Sequence, residues 1–334
     1  MNFKRLLSLF IARNKEYYRD RSSLVWSFVM PPIIIGVVAL AFSRGEDALF
    51  KVGTLNADPS VVEQLVGEQP SVQIVDYSDR AQAITKVQFH QIDLLLGANQ
   101  YWKNSDSMKG DVVEQLLGLA SNPQWQAQSI SGREVRYVDW VIPGIISMNM
   151  MFSSLFGVGY VIVRYRKNGV LKRIQASPVK PIEFLSAQVL SRFMINMCVC
   201  AIVFVVANLV LDFVMLGSYF LLVLSAALGI LALLSMGLIV AARLSSEELA
   251  NGLMNLFVFP MMLLSEVWFS LDGAPQWMVT ASQFLPLTHM VQAARSVMLD
   301  GAGPAEISHH LLILTAMSSV FLGLSAWLFR WRES

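Results

Sequence analysis

Two apolar stretches decide the fold of this chain: LVWSFVMPPIIIGVVALAF at residues 24–42 and WVIPGIISMNMMFSSLFGVGYVIV at residues 140–163. Each is close to the roughly 20 residues that a helix needs to cross a hydrocarbon core about 30 Å thick. Lipid offers no hydrogen-bond partners, so backbone groups must pair within the segment, which favours helices over strands. Four further apolar runs follow, at Phe193–Leu211, Phe213–Ala242, Leu249–Ser265 and Leu311–Phe329. The chain is therefore predicted to be an all-α membrane protein with six transmembrane helices.

The overall composition agrees with a membrane protein. Hydrophobic residues make up 55% of the chain and charged residues only 15%, whereas about 25% of the residues in an ordinary soluble domain are charged. The formal net charge of +1 says nothing by itself about partners, and no nucleic-acid partner is expected.

The first two apolar stretches are separated by a hydrophilic insert at residues 43–139. Apolar strand-like runs at Phe50–Leu55, Ser71–Tyr77 and Ile92–Leu96 alternate there with helix-like stretches at Pro59–Val66, Asp79–Phe89 and Asp111–Ala120. This alternation predicts a small α/β domain. The remaining five spans follow in residues 140–334, and the first span occupies residues 24–42.

Residues 1–23 have the pattern of an amphipathic helix. Phe3, Leu6, Leu7 and Phe10 recur at three- and four-residue steps among lysines and arginines, which favours a helix lying in the membrane interface. A signal peptide would instead show an unbroken apolar centre. A solvated helix packed on a partner is the alternative.

Lysine and arginine are sorted between the two sides of the predicted membrane. They cluster before the first span and in the loop after the second, at Lys4, Arg5, Arg13, Lys15, Arg19, Arg21, Arg164, Arg166, Lys167, Lys172, Arg173 and Lys180. By the positive-inside bias these segments are cytoplasmic. Both termini are thus predicted to be cytoplasmic, and residues 43–139 extracytoplasmic.

The loop after the second predicted span has a distinctive pattern of glycine, bases and proline. It reads RYRKNGVLKRIQASPV over residues 164–179, and the span before it begins with Pro143-Gly144. This combination resembles the permeases of the ABC type-2 exporter family. Members usually carry acidic residues just before the glycine, where this chain has Arg166-Lys167-Asn168.

A second segment adds to the resemblance. FLPLTH at residues 284–289, followed by Ala294-Arg295, is similar to the family's Leu-Pro-Leu-Thr segment, which implies a re-entrant hairpin before the last span. The matching positions are Leu285, Pro286, Leu287, Thr288 and Arg295. The resemblance covers the membrane region from about residue 136 to 329. The insert resembles only the subset of the family that carries a domain between the first two spans.

The resemblance implies the permease subunit of an ATP-driven exporter in the bacterial inner membrane, which moves a lipid-like, drug-like or other amphipathic molecule outward. The chain has no G-x-x-x-x-G-K-[ST] phosphate loop, so ATP and Mg would be used by a separate cytoplasmic ABC ATPase. No catalytic residue, metal or cofactor is expected in this chain. The expected partners are two ATPase copies, a second permease, identical or homologous, and membrane lipids; a periplasmic adaptor is left open.

Contact with the ATPase is expected at the loop after the second span. The residues concerned are Arg166, Lys167, Asn168, Gly169, Leu171, Lys172, Arg173, Ile174, Ser177 and Pro178. Gly169 permits a turn that other residues resist, and Leu171 with Ile174 would present an apolar ridge of a short helix to the ATPase. The alternative is that these bases only orient the spans and bind anionic lipid.

Polar residues within the apolar runs are candidates for a translocation path. Glu266 follows a long uncharged run and Asn149 lies inside the second span; a carboxylate at such depth is costly unless it is paired, hydrated or near the interface. The alternatives are that the span simply ends at Glu266 and that Asn149 ties helices together. Arg192, near the start of the third span, is predicted to extend to the cytoplasmic surface.

Two other functional classes are alternatives to a permease. An ABC-linked machine that transmits force or a signal to the insert without moving cargo is the alternative function, supported by the size of the insert. A membrane enzyme is disfavoured, because no HExxH, GxSxG or paired-cysteine pattern is present.

Overall fold

The chain folds into two compact units. The structure, a computed structural model, describes residues 3–41, 50–55, 72–88, 90, 92–132, 135–244, 246–271 and 274–329. One unit, here called the membrane unit, comprises Met1–Ala41 and Val138–Ser334; the other, the insert unit, comprises Phe42–Tyr137. The helix predicted at Pro59–Val66 lies outside the described residues.

Helices dominate the described chain. They are α1 (Phe3–Arg19), α2 (Arg21–Ala41), α3 (Arg80–Gln88), α4 (Met108–Leu116), α5 (Tyr137–Ser154), α6 (Val161–Lys167), α7 (Val170–Gln175), α8 (Pro181–Leu211), α9 (Tyr219–Ala241), α10 (Glu247–Leu264), α11 (Gln276–Ser282), α12 (Pro286–Leu299) and α13 (Pro304–Leu328). A π-helical turn at Leu155–Tyr160, here called the π segment, joins α5 to α6. The strands are β1 (Phe50–Leu55), β2 (Val72–Tyr77), β3 (Leu94–Leu96), β4 (Gln100–Asn104) and β5 (Gln126–Ile130).

The insert unit contains a five-stranded mixed sheet in the order β2-β1-β3-β4-β5. Strand β1 runs parallel to β2 and β3, β3 pairs antiparallel with β4, and β4 is parallel to β5. The central strand β3 is Leu94-Leu95-Leu96, fully buried, which is the continuous apolar run expected where both faces of a sheet are covered.

Alternate side chains of the sheet enter two cores. Leu94 and Leu96 pack with Val113 and Leu117 of the α4 region, while Leu95 packs on the other face with Ala83 and Val87 of α3. Period-two alternation along β3 thus supplies both helices with apolar partners.

Strands β1, β2 and β3 lie where the sequence places strand-like runs, whereas β4 and β5 were not predicted. β5 reads QAQSI and is almost entirely exposed, so that it has no apolar alternation to reveal it. Its pairing with β4 comes from backbone hydrogen bonds, which depend little on side-chain type.

Among the described residues of the membrane unit, four helical segments are long and apolar enough to cross a membrane. They are Tyr137–Lys167, Pro181–Leu211, Tyr219–Ala241 and Pro304–Leu328. Each contains or overlaps one of the six predicted spans. α8 begins at Pro181, well before the predicted start at Phe193, because a proline at the first helical position is compatible with a helix start.

The other two predicted spans lie on helices that do not meet this standard. α10 begins with Glu247 and Glu248 and carries two asparagines, and only the shorter apolar helix Phe28–Val38 is found within α2. The described structure therefore supports an integral membrane protein of mostly helical fold, and the count of six spans stays a prediction.

The centre of the membrane unit is built from the helix Tyr137–Lys167 and α9, and the most apolar part of each of these helices is mostly buried. In α8 and α13 most residues of the corresponding apolar part are not buried. α9 meets the π segment closely: a Cβ on Gly159 would lie 3.0 Å from the Gly237 carbonyl oxygen, and one on Gly237 would lie 3.1 Å from that of Leu155. Small residues at this contact allow the close approach.

The two-sided core of the insert unit predicts a difference between neighbouring leucines. Leu117 is 6% exposed and belongs to the α4 core, whereas Leu116 is 39% exposed. We expect Leu117→Ala to lower the free energy of unfolding of this unit by about 2–5 kcal/mol, since it leaves a cavity, and Leu116→Ala to change it by less than about 1 kcal/mol. The change in stability can be measured by limited proteolysis of the full-length protein at increasing urea concentrations. The readout is the urea concentration at which cleavage between residues 72 and 130 begins. Equal urea sensitivity of the two variants would contradict the assignment.

Candidate functional site

The basic loop after α6 contains a short exposed helix. α6 ends at Lys167, Gly169 adopts a left-handed backbone with φ +68°, and α7 follows at Val170–Gln175. Gly169 suits this turn because it lacks a Cβ. The predicted glycine turn and short helix are both present.

Arg166 is buried and binds the end of α9. Its guanidinium donates to the carbonyl oxygens of Ala241 (3.0 Å) and Ala242 (2.9 Å), and also to that of Leu244. The last carbonyls of a helix have no partner within it, and they attract cations through the helix dipole. Arg166 therefore joins the start of the loop to α9 instead of facing solvent.

The prediction that Leu171 and Ile174 form an exposed apolar ridge on α7 is wrong for Leu171. Leu171 is only 1% exposed within this chain, and Ile174 is half-buried. Leu171 packs inward because α7 folds back on its own protein, a tertiary contact that local spacing does not reveal. Leu171 anchors α7 to the rest of the chain and does not face a partner.

The solvent-facing side of the loop is mostly polar and basic. Lys167, Asn168, Lys172 and Arg173 are exposed, as are Ser177 and Pro178. The hydroxyl of Ser177 donates to the Ile174 carbonyl oxygen at 2.6 Å, which closes the turn after α7. Arg5 of α1 donates to the carbonyl oxygen of Pro178, so α1 also contacts the loop.

The π segment is held by two arginines. Nη2 of Arg13 and Nε of Arg192 donate to the carbonyl oxygen of Gly157, at 3.2 Å and 3.0 Å. A Cβ at Gly157 would lie 2.5 Å from Nε of Arg192, so only glycine leaves room for this contact. π turns occur mostly as single-turn interruptions of α-helices, frequently at functional sites.

The structure corrects the prediction for Arg192. This side chain is 8% exposed, and its Cζ lies 4.8 Å from the centroid of the Tyr17 ring of α1. Its guanidinium turns toward the π segment because a carbonyl oxygen and an aromatic face are available there, so it does not extend to the surface.

Further contacts tie the end of α6 to neighbouring helices. The Tyr165 hydroxyl donates to the Glu16 carboxylate of α1, and the Tyr160 hydroxyl donates to the Glu247 carboxylate of α10. Nζ of Lys167 lies 3.4 Å from Oε1 of Glu247. The π segment and α6 thus contact α1, α9 and α10 through polar side chains.

Glu266 and Arg295, two residues predicted for different roles, form one cluster. Nη1 of Arg295 lies 3.3 Å from Oε2 of Glu266, and Nη2 donates to the Glu266 carbonyl oxygen at 2.7 Å. Arg295 also donates to the Trp140 carbonyl oxygen at 3.3 Å, and its Cζ is 3.7 Å from the Trp140 ring centroid. This cluster joins the start of α5, the end of α10 and α12.

Glu266 has an unusual backbone. Its φ is +54°, in the left-handed region that side-chain-bearing residues adopt at a cost. Its carboxylate accepts hydrogen bonds from Nε2 of Gln292 (3.4 Å) and from the Leu271 amide (3.3 Å). A cavity of about 380 Å³ lies beside it, lined also by Leu271, Gln276, Val279, Gln283 and Gln292.

The Leu-Pro-Leu-Thr segment forms the beginning of α12. Leu285 caps the helix, Pro286 is its first residue, and Leu287 and Thr288 are fully buried. Thr288 donates to the Ser265 hydroxyl at 3.0 Å. α11 and α12 form a helical hairpin before α13, and its re-entry into the membrane stays a prediction.

Asn149 lies apart from Glu266. It is half-buried in α5, and its Oδ1 is buried with no hydrogen-bond partner among the residues that the structure describes. Asn149 does not line the cavity beside Glu266, and it makes none of the contacts described above for the Glu266 carboxylate. No cluster of three or more His, Cys, Asp or Glu side chains able to hold a metal ion occurs in the described ranges.

Sequence reasoning missed the roles of Arg13, Gly157 and Glu247. A signal existed for one contact: Gly157, Gly159 and Gly237 stand in apolar runs, and glycine in such runs is typical of close helix packing. The bond partners across elements carried no local signal.

Comparison with known proteins identifies relatives along the chain. A family model described as ABC-2 type transporter matches residues 74–299. The probable multidrug ABC transporter permease YbhS of Escherichia coli is 20% identical, with 98% of this chain and 97% of that protein covered. The inner membrane transport permease YhhJ of Escherichia coli is 24% identical, with coverages of 90% and 78%. The linearmycin resistance permease protein LnrN of Bacillus subtilis is 24% identical over 52% of this chain and 45% of its own length.

The Glu266–Arg295 cluster predicts unequal effects of removing its two members. Arg295→Ala removes the contacts of this side chain to Glu266 and Trp140 and leaves a largely buried carboxylate without its cation, which costs about 3 kcal/mol. Glu266→Gln keeps the backbone carbonyl acceptor and should cost about 1 kcal/mol. Thermal unfolding of the detergent-purified protein should therefore show the larger fall in Tm for Arg295→Ala. Equal falls would contradict the multiple-contact role of Arg295.

Proposed function

This chain belongs to the ABC-2 type transporter family, and from that premise we propose that it is the permease of an ATP-driven exporter that moves a lipid-like, drug-like or other amphipathic molecule outward across the bacterial inner membrane. Two copies of a cytoplasmic ABC ATPase would use ATP and Mg. A second permease, identical or homologous, would complete the transporter.

The binding of Arg166 to the end of α9 is the observation that carries the proposal. A loop that only oriented the spans would need charge but no fixed connection to a central helix. Arg166 instead makes three hydrogen bonds, to the carbonyl groups of Ala241, Ala242 and Leu244 at and just after the end of α9. A displacement of the loop by an ATPase would therefore displace α9.

The same loop is connected to two more helices. Glu247 at the start of α10 accepts from Tyr160 and pairs with Lys167, and Glu16 of α1 accepts from Tyr165. Movement at α6 would thus reach α1, α9 and α10 together, as in a shear displacement of packed helices.

The exposed bases of α7 are the proposed contact with the ATPase. Lys172 and Arg173 face solvent while Leu171 fixes α7 from beneath. An exposed charged surface on a rigidly anchored helix suits partner recognition by electrostatic complementarity.

An amphipathic cargo is proposed from the relatives and the path residues. The names of two relatives include multidrug and linearmycin resistance. Asn149, with its unpartnered Oδ1, and the cavity beside Glu266 are the proposed polar points of an otherwise apolar path. Asn149 lies on α5, which leads directly into the π segment. Glu266 follows the end of α10, a helix that contacts the π segment.

A second permease is proposed to cover the outer face of α10. Leu249, Leu256 and Leu263 recur every seven residues and are at least half exposed, which puts them on one side of the helix. Such a stripe suits either lipid or an apolar helix of a second copy.

Reversing the charge of α7 should uncouple the transporter. We expect Arg173→Glu to lower co-purification of the ATPase at least tenfold, about 1.4 kcal/mol, and to reduce ATP-dependent export, because the exposed side chain would no longer complement the ATPase surface. The measurements are the ATPase recovered per permease and the ATP-dependent uptake of cargo into inverted vesicles, in which outward transport fills the lumen.

The matched control is Arg19→Glu, an equal charge reversal at an exposed arginine of α1. It should leave both quantities unchanged. Normal co-purification and full export by Arg173→Glu would mean that this face of α7 does not contact the ATPase.

The proposed topology predicts opposite labelling of two exposed positions. In a chain whose Cys198 and Cys200 are replaced by Ala, a single cysteine at Ser105 should react with an impermeant maleimide added outside the inner membrane, and one at Asn168 should react only after permeabilisation. Both positions are exposed in the fold, so failure to react would report sidedness. Labelling of Asn168 from outside would overturn the orientation.

A further inference from the structure

A second cavity lies between α1, the π segment and α8. Its volume is about 310 Å³, and it is lined by Arg13, Tyr17, Phe152, Phe156, Arg164 and Arg192, among others. Three of these are arginines and three are aromatic, so the cavity has a cationic part and an apolar part.

The cationic part has unused hydrogen-bond donors. Arg13 is only 5% exposed, yet its Nε has no hydrogen-bond acceptor among the described residues. Arg164 is exposed and makes no side-chain hydrogen bond or ion pair to any residue within the described ranges. Arg192 uses its Nε for the Gly157 carbonyl. A buried donor without an acceptor is costly, which points to a missing acceptor.

Two carboxylates also line the cavity, Glu16 and Asp20. Glu16 is 2.8 Å from Nη1 of Arg13 and accepts from Tyr165 as well, so it chiefly offsets Arg13. The three arginines exceed the two acids, and the balance favours a ligand group with negative charge.

The apolar part is a pair of stacked rings. Phe152 and Phe156 have centroids 6.1 Å apart and planes inclined by 15°, and Phe152 is 37% exposed. Phe152 belongs to α5, in the apolar helix Tyr137–Lys167, so the aromatic wall of the cavity reaches the surface of a helix that is long and apolar enough to cross a membrane.

We propose that this cavity binds the phosphate of a membrane phospholipid. The Nε of Arg13 and the guanidinium groups of Arg164 and Arg192 would donate to phosphate oxygens, which guanidinium groups match well. The first carbons of an acyl chain would lie against Phe152 and Phe156. A volume of about 310 Å³ holds a headgroup but not two chains, which would remain in the bilayer. The lipid would be held between α1 and the π segment, independently of any transported cargo.

Photo-crosslinking of the full-length protein in maltoside micelles, which contain no phosphate, tests the assignment. Two probes carry identical diazirine-bearing acyl chains, one as phosphatidylglycerol and the other as diacylglycerol. We expect the phosphatidylglycerol probe to label residues 152–164 at least tenfold more than the diacylglycerol probe, as mapped by mass spectrometry. Arg164→Gln should reduce that labelling severalfold, and Arg164→Lys should retain part of it.

The matched control is Arg173→Gln, which removes an exposed arginine outside the cavity and should leave labelling unchanged. Equal labelling by the two probes, or full labelling of Arg164→Gln, would overturn the proposal. Competition by soluble glycerol 3-phosphate as effective as that by unlabelled phosphatidylglycerol would assign the site to a soluble phosphate and would overturn the lipid assignment.

Discussion

The hydrogen bonds to the carbonyl oxygen of Gly157 are the contacts on which the arrangement of the membrane unit depends. An oxygen with two lone pairs can accept more than one donor, and here the donors come from α1 and α8. Two guanidinium groups this close repel each other, and the Glu16 carboxylate and the Tyr17 ring offset that repulsion. Removing space at Gly157 would separate both helices from the π segment.

From this point the connections extend in order along the chain. The π segment leads into α6, whose Tyr165 and Arg166 contact α1 and α9, and α6 leads into the exposed α7. The polar contacts of the π segment and α6 reach α1, α9 and α10, whereas α8 and α13 offer mainly apolar surface.

The apolar runs predicted the membrane character and the approximate position of four helices, because length and hydropathy are local properties. Gly169 predicted its own turn for the same reason. Arg192 and Leu171 were misplaced, since each side chain is directed by residues far away in sequence. β5 was missed because its exposed polar side chains do not alternate with apolar ones. The pairing of Glu266 with Arg295 was not predicted, because the sequence assigned these residues to two different features, a translocation path and the Leu-Pro-Leu-Thr segment.

The length of α8 has a mechanical consequence. Its 31 residues extend over about 46 Å at about 1.5 Å per residue, more than the roughly 30 Å of a hydrocarbon core. The end that follows α7 precedes the contact of Arg192 with the π segment, so a rotation of α8 about that contact would move this end and the opposite end in opposite directions. Pro181 lies about 16 Å from Arg192 along the helix, so a tilt of ten degrees about that contact would move the loop end of α8 by about 3 Å and the far end by about 5 Å in the opposite direction.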